Sequence, residues 1–403
     1  MKRILIVADG MADEAQPALN GLTPLQYAHT PAMDTLARQG VSGRLCTIPA
    51  GYAPGSEVAM LTLLGYDPDR VFEGRAVLEA AGTGVPLQPD DLALRCNLIT
   101  LDPQRRLVSH SAGEIDPEEG RLLIRFLEQE LGQEGVHFFP GLSYRHTLLL
   151  RGGNKMIRCT PPQDLRGRCV DPYVVEALRP EAESTVRTLN RLITQAEPLL
   201  RQHPINLRRE EAGYNPANAI WFWSPGHKPS METLSQRYGF TRGAVVAGVP
   251  LVKGIGACAG LDIIEVAGAT GYRDTDYAGK AAAAISALRA YDFILLHVEA
   301  PDECSHEGDL NGKIETIEQI DRLIVAPIAQ ALETFPDCYR VALLPDHPSL
   351  CRTRAHTSDP VPFLLCGSQL PADSLMQFDE KNAALGRGGM LSGDQFSQLF
   401  FSV

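Results

Sequence analysis

Ile4-Leu5-Ile6-Val7-Ala8 is an unbroken apolar run that stops at Asp9-Gly10, and it constrains the fold of these 403 residues more than any other stretch. A strand with one wet face alternates apolar and polar residues. A continuous run suits a strand covered on both faces, as in a parallel sheet. Three later segments repeat it: Phe293-Ile294-Leu295-Leu296-His297-Val298, Arg340-Val341-Ala342-Leu343-Leu344 before Pro345-Asp346-His347, and Val361-Pro362-Phe363-Leu364-Leu365. Helical patterns lie between the runs at 30–39, 276–290 and 311–334. Strands alternating with helices predict an α/β fold with a doubly wound, mostly parallel sheet. Ligands of such sheets bind beyond the carboxyl ends of the strands, where Asp9 and Asp346-His347 fall.

Between about 85 and 169 the pattern changes. Short alternating or mixed segments at 92–101, 106–111, 136–139 and 145–150 surround one helix at 117–131. This predicts a smaller α+β insert at 85–169, hinged at Gly82/Gly84 and near Gly167, within a core of 1–84 and 170–403. The helix near 181–201 and the strand at 219–223 are expected to return to the core. There is no internal repeat and no low-complexity tract.

Lys plus Arg number 37 against 49 Asp plus Glu, a net charge of -12. That balance argues against nucleic acid or an anionic membrane as partner, since both call for a basic patch. A small anionic substrate would need local cations, from metal or Arg. The nine cysteines are odd in number and dispersed, with no Cys-x-x-Cys, as in reduced cytoplasmic proteins. The apolar run at the N-terminus is too short for a signal peptide, and no window approaches the ~20 apolar residues of a membrane span. A cytoplasmic protein is expected, and an oligomer is compatible with the composition.

Seven residues stand in short turn-like segments after apolar runs: Asp9, Ser56, Asp302, His306, Asp346, His347 and His356. Taken singly each has a bland reading. Asp9 before Gly10 suits a turn, a lone His is more often a satisfied side chain than a ligand, and Ser56 in Pro54-Gly55-Ser56 suits a helix N-cap. Together, three Asp, three His and one hydroxyl suffice for two metal ions and a nucleophile. Asp302-x-x-x-His306 places a carboxylate and an imidazole within one turn. Mixed carboxylate and imidazole ligands favour a borderline divalent metal over calcium.

The ordered set Asp9-Gly10, Pro54-Gly55-Ser56, Asp302-x-x-x-His306, Asp346-His347 and His356-Thr357 resembles the alkaline phosphatase superfamily. More closely the chain resembles the archaeal-type 2,3-bisphosphoglycerate-independent phosphoglycerate mutases. That likeness adds Leu64-Gly65-Tyr66-Asp67-Pro68, Gly74-Arg75, Arg95-Cys96-Asn97 and Gly268-Ala269-Thr270-Gly271-Tyr272, and spans essentially the whole chain. The resemblance implies an alkaline-phosphatase-type sheet. It also implies one ion held by Asp302, His306 and His356, and a second held by Asp9, Ser56, Asp346 and His347. Mn is the expected metal, with Zn, Co or Mg as alternatives and no 2,3-bisphosphoglycerate. The implied reaction interconverts 3-phosphoglycerate and 2-phosphoglycerate through a phosphoserine at Ser56.

A mutase must keep water from its phosphoenzyme, so the insert is expected to serve as a cap. Arg145 and His146 from the cap, with Arg75 and Lys253 from the core, are the candidate substrate contacts. A surface ion pair is the other reading of each. The chain departs from the family at Ser109-His110-Ser111-Ala112-Gly113-Glu114, where an arginine-rich turn is expected, and near Arg168-Cys169-Val170-Asp171-Pro172. These changes leave the metal chemistry intact and bear on the acceptor. A homoserine kinase-like phosphotransferase and a metal-dependent phosphatase are the alternatives, although no Gly-x-x-x-x-Gly-Lys-Ser/Thr motif for ATP is present. A metal-binding scaffold without turnover is the non-enzymatic one.

Overall fold

The first apolar run forms the strand Lys2–Ala8, with Ile4 to Ala8 wholly inaccessible, in a computed structural model that describes residues 1–335, 338–373 and 375–402. It lies within an eight-stranded sheet. The order is Asp262–Ile263, Gly243–Val246, Phe293–Val298, Lys2–Ala8, Tyr339–Leu344, Val361–Gly367, Val41–Cys46 and Gly389–Ser392. Every pairing is parallel except the two made by Val361–Gly367, which runs against all its companions. The mostly parallel sheet is as expected. An apolar run marks a doubly covered strand but carries no direction, so the reversed strand was not legible.

Parallel register explains why distant residues converge. Ala8 pairs with Val298 and Val7 with Leu344, so the three central strands end level. Asp9, Glu299 and Asp346 therefore leave the sheet at one edge. Side chains on one face (Ile4, Ile6, Ile294, Leu296, Val341 and Leu343) are buried in a core with Met33, Leu36, Ala281, Ala284, Ile317 and Ile320 from helices. On another side of the sheet Phe293 meets Phe400 and Phe401 edge-on, at ring distances of 6.1 and 5.1 Å. Burying each large apolar side chain contributes about 1.5–3 kcal/mol.

The helical pattern at 311–334 forms Leu310–Ile320 and Ala326–Glu333, joined by a π-helical turn at Asp321–Val325. Asp321 in that turn accepts from the backbone N–H groups of Ala32 and Met33 at 3.2 and 2.7 Å. It thereby caps the helix Pro31–Gln39, whose own N-cap Thr30 makes no side-chain cap.

This sheet and its helices belong to one compact unit, Met1–Phe72 with Met231–Val403; Glu73–Ser230 forms the other. The second unit is larger than the expected insert of 85–169, and its limits fall outside Gly82/Gly84 and Gly167. The reason is strand pairing. Ala219–His227, expected in the core, pairs antiparallel with Asp91–Leu101, which pairs also with Arg145–Arg151. All eleven residues of Asp91–Leu101 are buried in consequence. The helix Glu183–Arg201, also expected in the core, packs Leu189, Leu192, Ile193 and Ala196 with Leu94, Leu123, Ile124 and Phe222 of this unit. The helix Arg75–Gly82 belongs here too, so Arg75 is not a core residue.

No helix among the described residues is long and apolar enough to cross a membrane. All nine cysteines are free thiols.

Candidate active site

Ser56 is the first residue of the helix Ser56–Leu63, and its N-cap is Gly55, which contributes no side-chain cap. The plain N-cap reading of Ser56 is therefore excluded. Its Oγ instead lies 3.3 Å from Asp9 Oδ2 and 3.1 Å from His347 Nε2. His347 Nε2 is also 3.6 Å from Asp9 Oδ1 and 3.5 Å from Asp346 Oδ2. Asp9, Asp346 and His347 are wholly buried. Gly10 makes the convergence possible: its φ is +61°, and a Cβ there would stand 2.8 Å from Asp302 Cα and 2.6 Å from Ser349 Oγ.

Asp302 and His306 project from the helix Ala300–Glu307, one turn apart. His306 Nε2 is 3.1 Å from Asp302 Oδ2, and His356 Nε2 is 3.2 Å from Asp302 Oδ1. The two imidazole Nε2 atoms face each other at 2.9 Å. The ring of His356 also stacks on that of His347 at 3.9 Å. The structure thus brings all seven residues together within one unit.

The remaining hydrogen bonds fix what each ligand atom can do. His306 Nδ1 meets Arg354 O at 3.2 Å and His356 Nδ1 meets Pro54 O at 3.4 Å. A carbonyl only accepts, so Nδ1 carries a proton in both, and in the neutral imidazole Nε2 presents its lone pair. Ser349 Oγ donates to Asp302 Oδ1, which leaves it to accept from His347 Nδ1 at 3.2 Å. His347 Nε2 is bare as well. Asp346 Oδ1 accepts from the N–H groups of His347 (2.9 Å) and Gly10 (3.3 Å), while Asp346 Oδ2 and Asp9 Oδ1 are buried with no hydrogen-bond partner among the described residues.

Buried bare acceptors are costly unless a cation meets them. The ligand separations of 2.9–3.6 Å match the edges of about 3.0–3.5 Å expected when donors lie about 2.0–2.2 Å from a shared ion. Asp302, His347 and His356 form one cluster able to hold a metal, and Asp9, Asp346 and His347 another. The residues fit two divalent ions.

Titration reports the same demand for positive charge. Burial, then the charges of Asp346, Glu299 and Asp302, push the Asp9 carboxyl well above its ordinary value. Burial also raises Asp302, but hydrogen bonds from His306 and His356 outweigh it and hold that carboxyl low. The hydrogen bond to Asp302 lifts His306 to about 9. Burial lowers His347, and lowers His297 to about 4.

Two neighbours went unnoticed in the sequence. His297 Nε2 lies 3.0 Å from Asp9 Oδ2, and Ser349 links His347 to Asp302. His297 had a signal, since it is the single ionisable residue inside an apolar run. Ser349 had none.

The four expected substrate contacts part company. Arg145 is exposed on its strand, lies over the Tyr144 ring at 5.0 Å, and makes no ion pair among the described residues. With Arg95, Asn97, His110, Tyr144, Gln163 and Trp223 it lines a cavity of about 200 Å³. His146 is the next residue of the strand and points the other way, into the core: it is buried, its Nδ1 accepts from Gly141 N at 3.0 Å, and burial lowers it to about 3. Arg75 pairs with Glu79 at 3.0 Å and Lys253 with Glu265 at 2.6 Å. Arg95 was missed as a candidate; it grips the same Glu79, at 2.7 Å through Nε, and lies over Trp223 at 4.7 Å.

A family model described as 2,3-bisphosphoglycerate-independent phosphoglycerate mutase matches residues 37–206. A relative from Methanosarcina mazei bearing that name is 44% identical over 395 residues, 97% of each chain. One from Geobacter sulfurreducens, named as a probable member, is 43% identical over 387 residues, 95% of each chain. Among solved structures, the PH0037 protein of Pyrococcus horikoshii has a TM-score of 0.84 at 30% identity, covering 99% of this chain and 97% of its own. A cofactor-independent phosphoglycerate mutase from Thermoplasma acidophilum has a TM-score of 0.72 at 26% identity, covering 99% of both.

Proposed function

Since this chain belongs to the 2,3-bisphosphoglycerate-independent phosphoglycerate mutases, we propose that it interconverts 3-phosphoglycerate and 2-phosphoglycerate by way of a phosphoryl group carried on Ser56. The observation that carries this reading is the position of Ser56 Oγ, 3.1 Å from the bare Nε2 of His347 and 3.3 Å from Asp9. Asp302, His306 and His356 would hold one divalent ion; Asp9, Asp346 and His347, with Ser56 itself, would hold the second. Ions bound there supply an acidified hydroxyl and positive charge for an in-line transfer. Mn is the proposed metal, with Zn, Co or Mg as substitutes.

The residues set the order of events. Ser56 Oγ gives up its proton and bonds to phosphorus, and the ester bond to one glycerate oxygen breaks as that oxygen takes a proton. The other hydroxyl of the same glycerate then loses its proton to attack phosphoserine, which restores Ser56. A glycerate that keeps its place through both steps must be held by its carboxylate. Arg145, at the mouth of the cavity shared with Arg95, is the proposed holder, because a guanidinium matches carboxylate oxygens in two bonds. The nine free thiols suit a reducing, cytoplasmic setting.

The test is Mn-loaded protein with 3-phosphoglycerate, coupled to enolase, without added bisphosphoglycerate. Turnover is expected, and Ser56→Ala should abolish it while the protein keeps most of its metal. Release of inorganic phosphate alone would make the protein a phosphatase. Phosphohomoserine formed from ATP and homoserine, with no mutase activity, would replace this reading by the kinase.

A further inference from the structure

We propose that His297 is a positioning residue: its Nε2–H holds Asp9 by Oδ2 and so presents Oδ1 to the second ligand set. The inference rests on the two-ion reading above. His297 lies on the strand Phe293–Val298, opposite Val7 in the parallel pairing, and is wholly buried. Its Nε2 stands 3.0 Å from Asp9 Oδ2, which also accepts from Ser56 Oγ at 3.3 Å. Two donors thus occupy Oδ2. Oδ1 is left buried, without a hydrogen-bond partner among the described residues, 3.6 Å from His347 Nε2.

A competing role is visible in the same atoms. Asp9, His297 and Glu299 bring three ligand atoms within 4.8 Å of one another, so His297 could serve a third ion. Its other nitrogen decides against that. A histidine that ligates a metal donates its second N–H to an acceptor. His306, His356 and His347 do so, to Arg354 O, Pro54 O and Ser349 Oγ. His297 Nδ1 is buried with no hydrogen-bond partner among the described residues, so ligation through Nε2 would strand an N–H group. The opposite tautomer makes a charge-assisted hydrogen bond to a carboxylate instead. A second observation agrees: the ammonium of Lys280, wholly buried, lies 3.4 Å from His297 O and is electrostatically coupled to Glu299. A cation already stands beside the would-be third site.

Two substitutions separate the roles. His297→Gln places an amide N–H at the reach of Nε2, whereas His297→Asn ends one bond short. Free Mn²⁺ is followed by electron paramagnetic resonance while each metal-free protein is titrated, with circular dichroism and melting recorded beforehand. The expected result is two Mn²⁺ per chain in all three proteins. One of the two steps should be roughly 10–100-fold weaker in His297→Asn, and close to wild type in His297→Gln. Three Mn²⁺ per wild-type chain, falling to two in the variants, would make His297 a ligand and overturn the proposal. Equal affinities in wild type and His297→Asn would overturn it too, as would equal weakening in both variants. A wild type that binds fewer than two ions would instead sink the two-ion reading itself, and the wild-type count stands even if a variant does not fold.

Discussion

The ligand cluster of the first unit and the arginine cavity of the second satisfy their charges in opposite ways. In the cluster Asp9, Asp346 and the three histidines each have one atom tied down and another left open for an ion: Asp9 by Oδ2, Asp346 by Oδ1 and the histidines by Nδ1. Of the two arginines that line the cavity, Arg95 is spent on the protein, on a carboxylate that Arg75 reaches from outside the lining. Arg75 and Arg95 share Glu79, whose carboxyl stays low despite burial, and Arg145 alone of the three makes no ion pair among the described residues. The first arrangement is incomplete without positive charge. The second already carries more positive than negative charge, three arginines against Glu79, and offers an anion one guanidinium outside any ion pair among the described residues. On the proposed reading chemistry rests on the first cluster and recognition on Arg145, so the two should fail independently.

The largest effect expected is loss of the ions. Asp346→Ala removes a bare oxygen and the acceptor that orders the His347 and Gly10 amides, so turnover should fall by at least ~10³-fold, with one Mn²⁺ fewer per chain. In the unaltered protein, Mn²⁺ at a hundred times its dissociation constant should add about 2.7 kcal/mol to stability for each ion bound, read as a higher melting temperature. A melting temperature indifferent to Mn²⁺ and to chelator would refute the incompleteness of the cluster.

Next in size is Arg145→Ala. It should lower kcat/KM for 3-phosphoglycerate about 10–100-fold, mainly through KM, and leave metal content untouched. A fall in metal content would erase the division between the two regions. Ser349→Ala should do less: without its hydroxyl the tautomer of His347 is no longer imposed, and Mn²⁺ affinity is expected to drop severalfold with KM unchanged.

The smallest effect is a pH dependence confined to metal-free protein. Asp302 lifts His306 to about 9, above the ordinary value near 6.5. A raised folded-state value means that the protonated imidazole stabilises the fold fully below pH about 6.5, and that this contribution is lost as pH rises through about 9. The metal-free melting temperature should decline modestly across that window, since the imidazole is partly exposed. The Mn-loaded protein should not show the decline. Equal slopes with and without metal would contradict the placement of His306 Nε2 among the ligands.

Much of the first unit was legible because its signals are local. Asp9, Asp302, Asp346 and His347 follow apolar runs, and runs of that kind end at the ligand edge of a parallel sheet. The second unit was misdrawn because its membership is settled by pairing between distant segments. Nothing in residues 219–223 announces that Ala219–His227 will lie beside Asp91–Leu101. The pairing of Arg145 with His146 as joint contacts was avoidable, since neighbours on a strand face opposite sides. His297 was hidden for the reverse reason: amid five apolar residues its burial looked sufficient explanation.

The order of residue types along the chain was enough to indicate a mostly parallel α/β sheet with seven side chains able to meet at its edge, because periodicity and turn chemistry act over a few residues at a time; the family showed in the resemblance of whole motifs. Hydrogen-bond partners were beyond its reach. Which nitrogen of each histidine is bare, that Ser349 joins the two ligand sets, that Glu79 absorbs two arginines and that His297 grips Asp9 all depend on angstrom-scale contacts between residues tens to hundreds of positions apart. Such contacts exist only once the register of the strands has brought those residues to one edge.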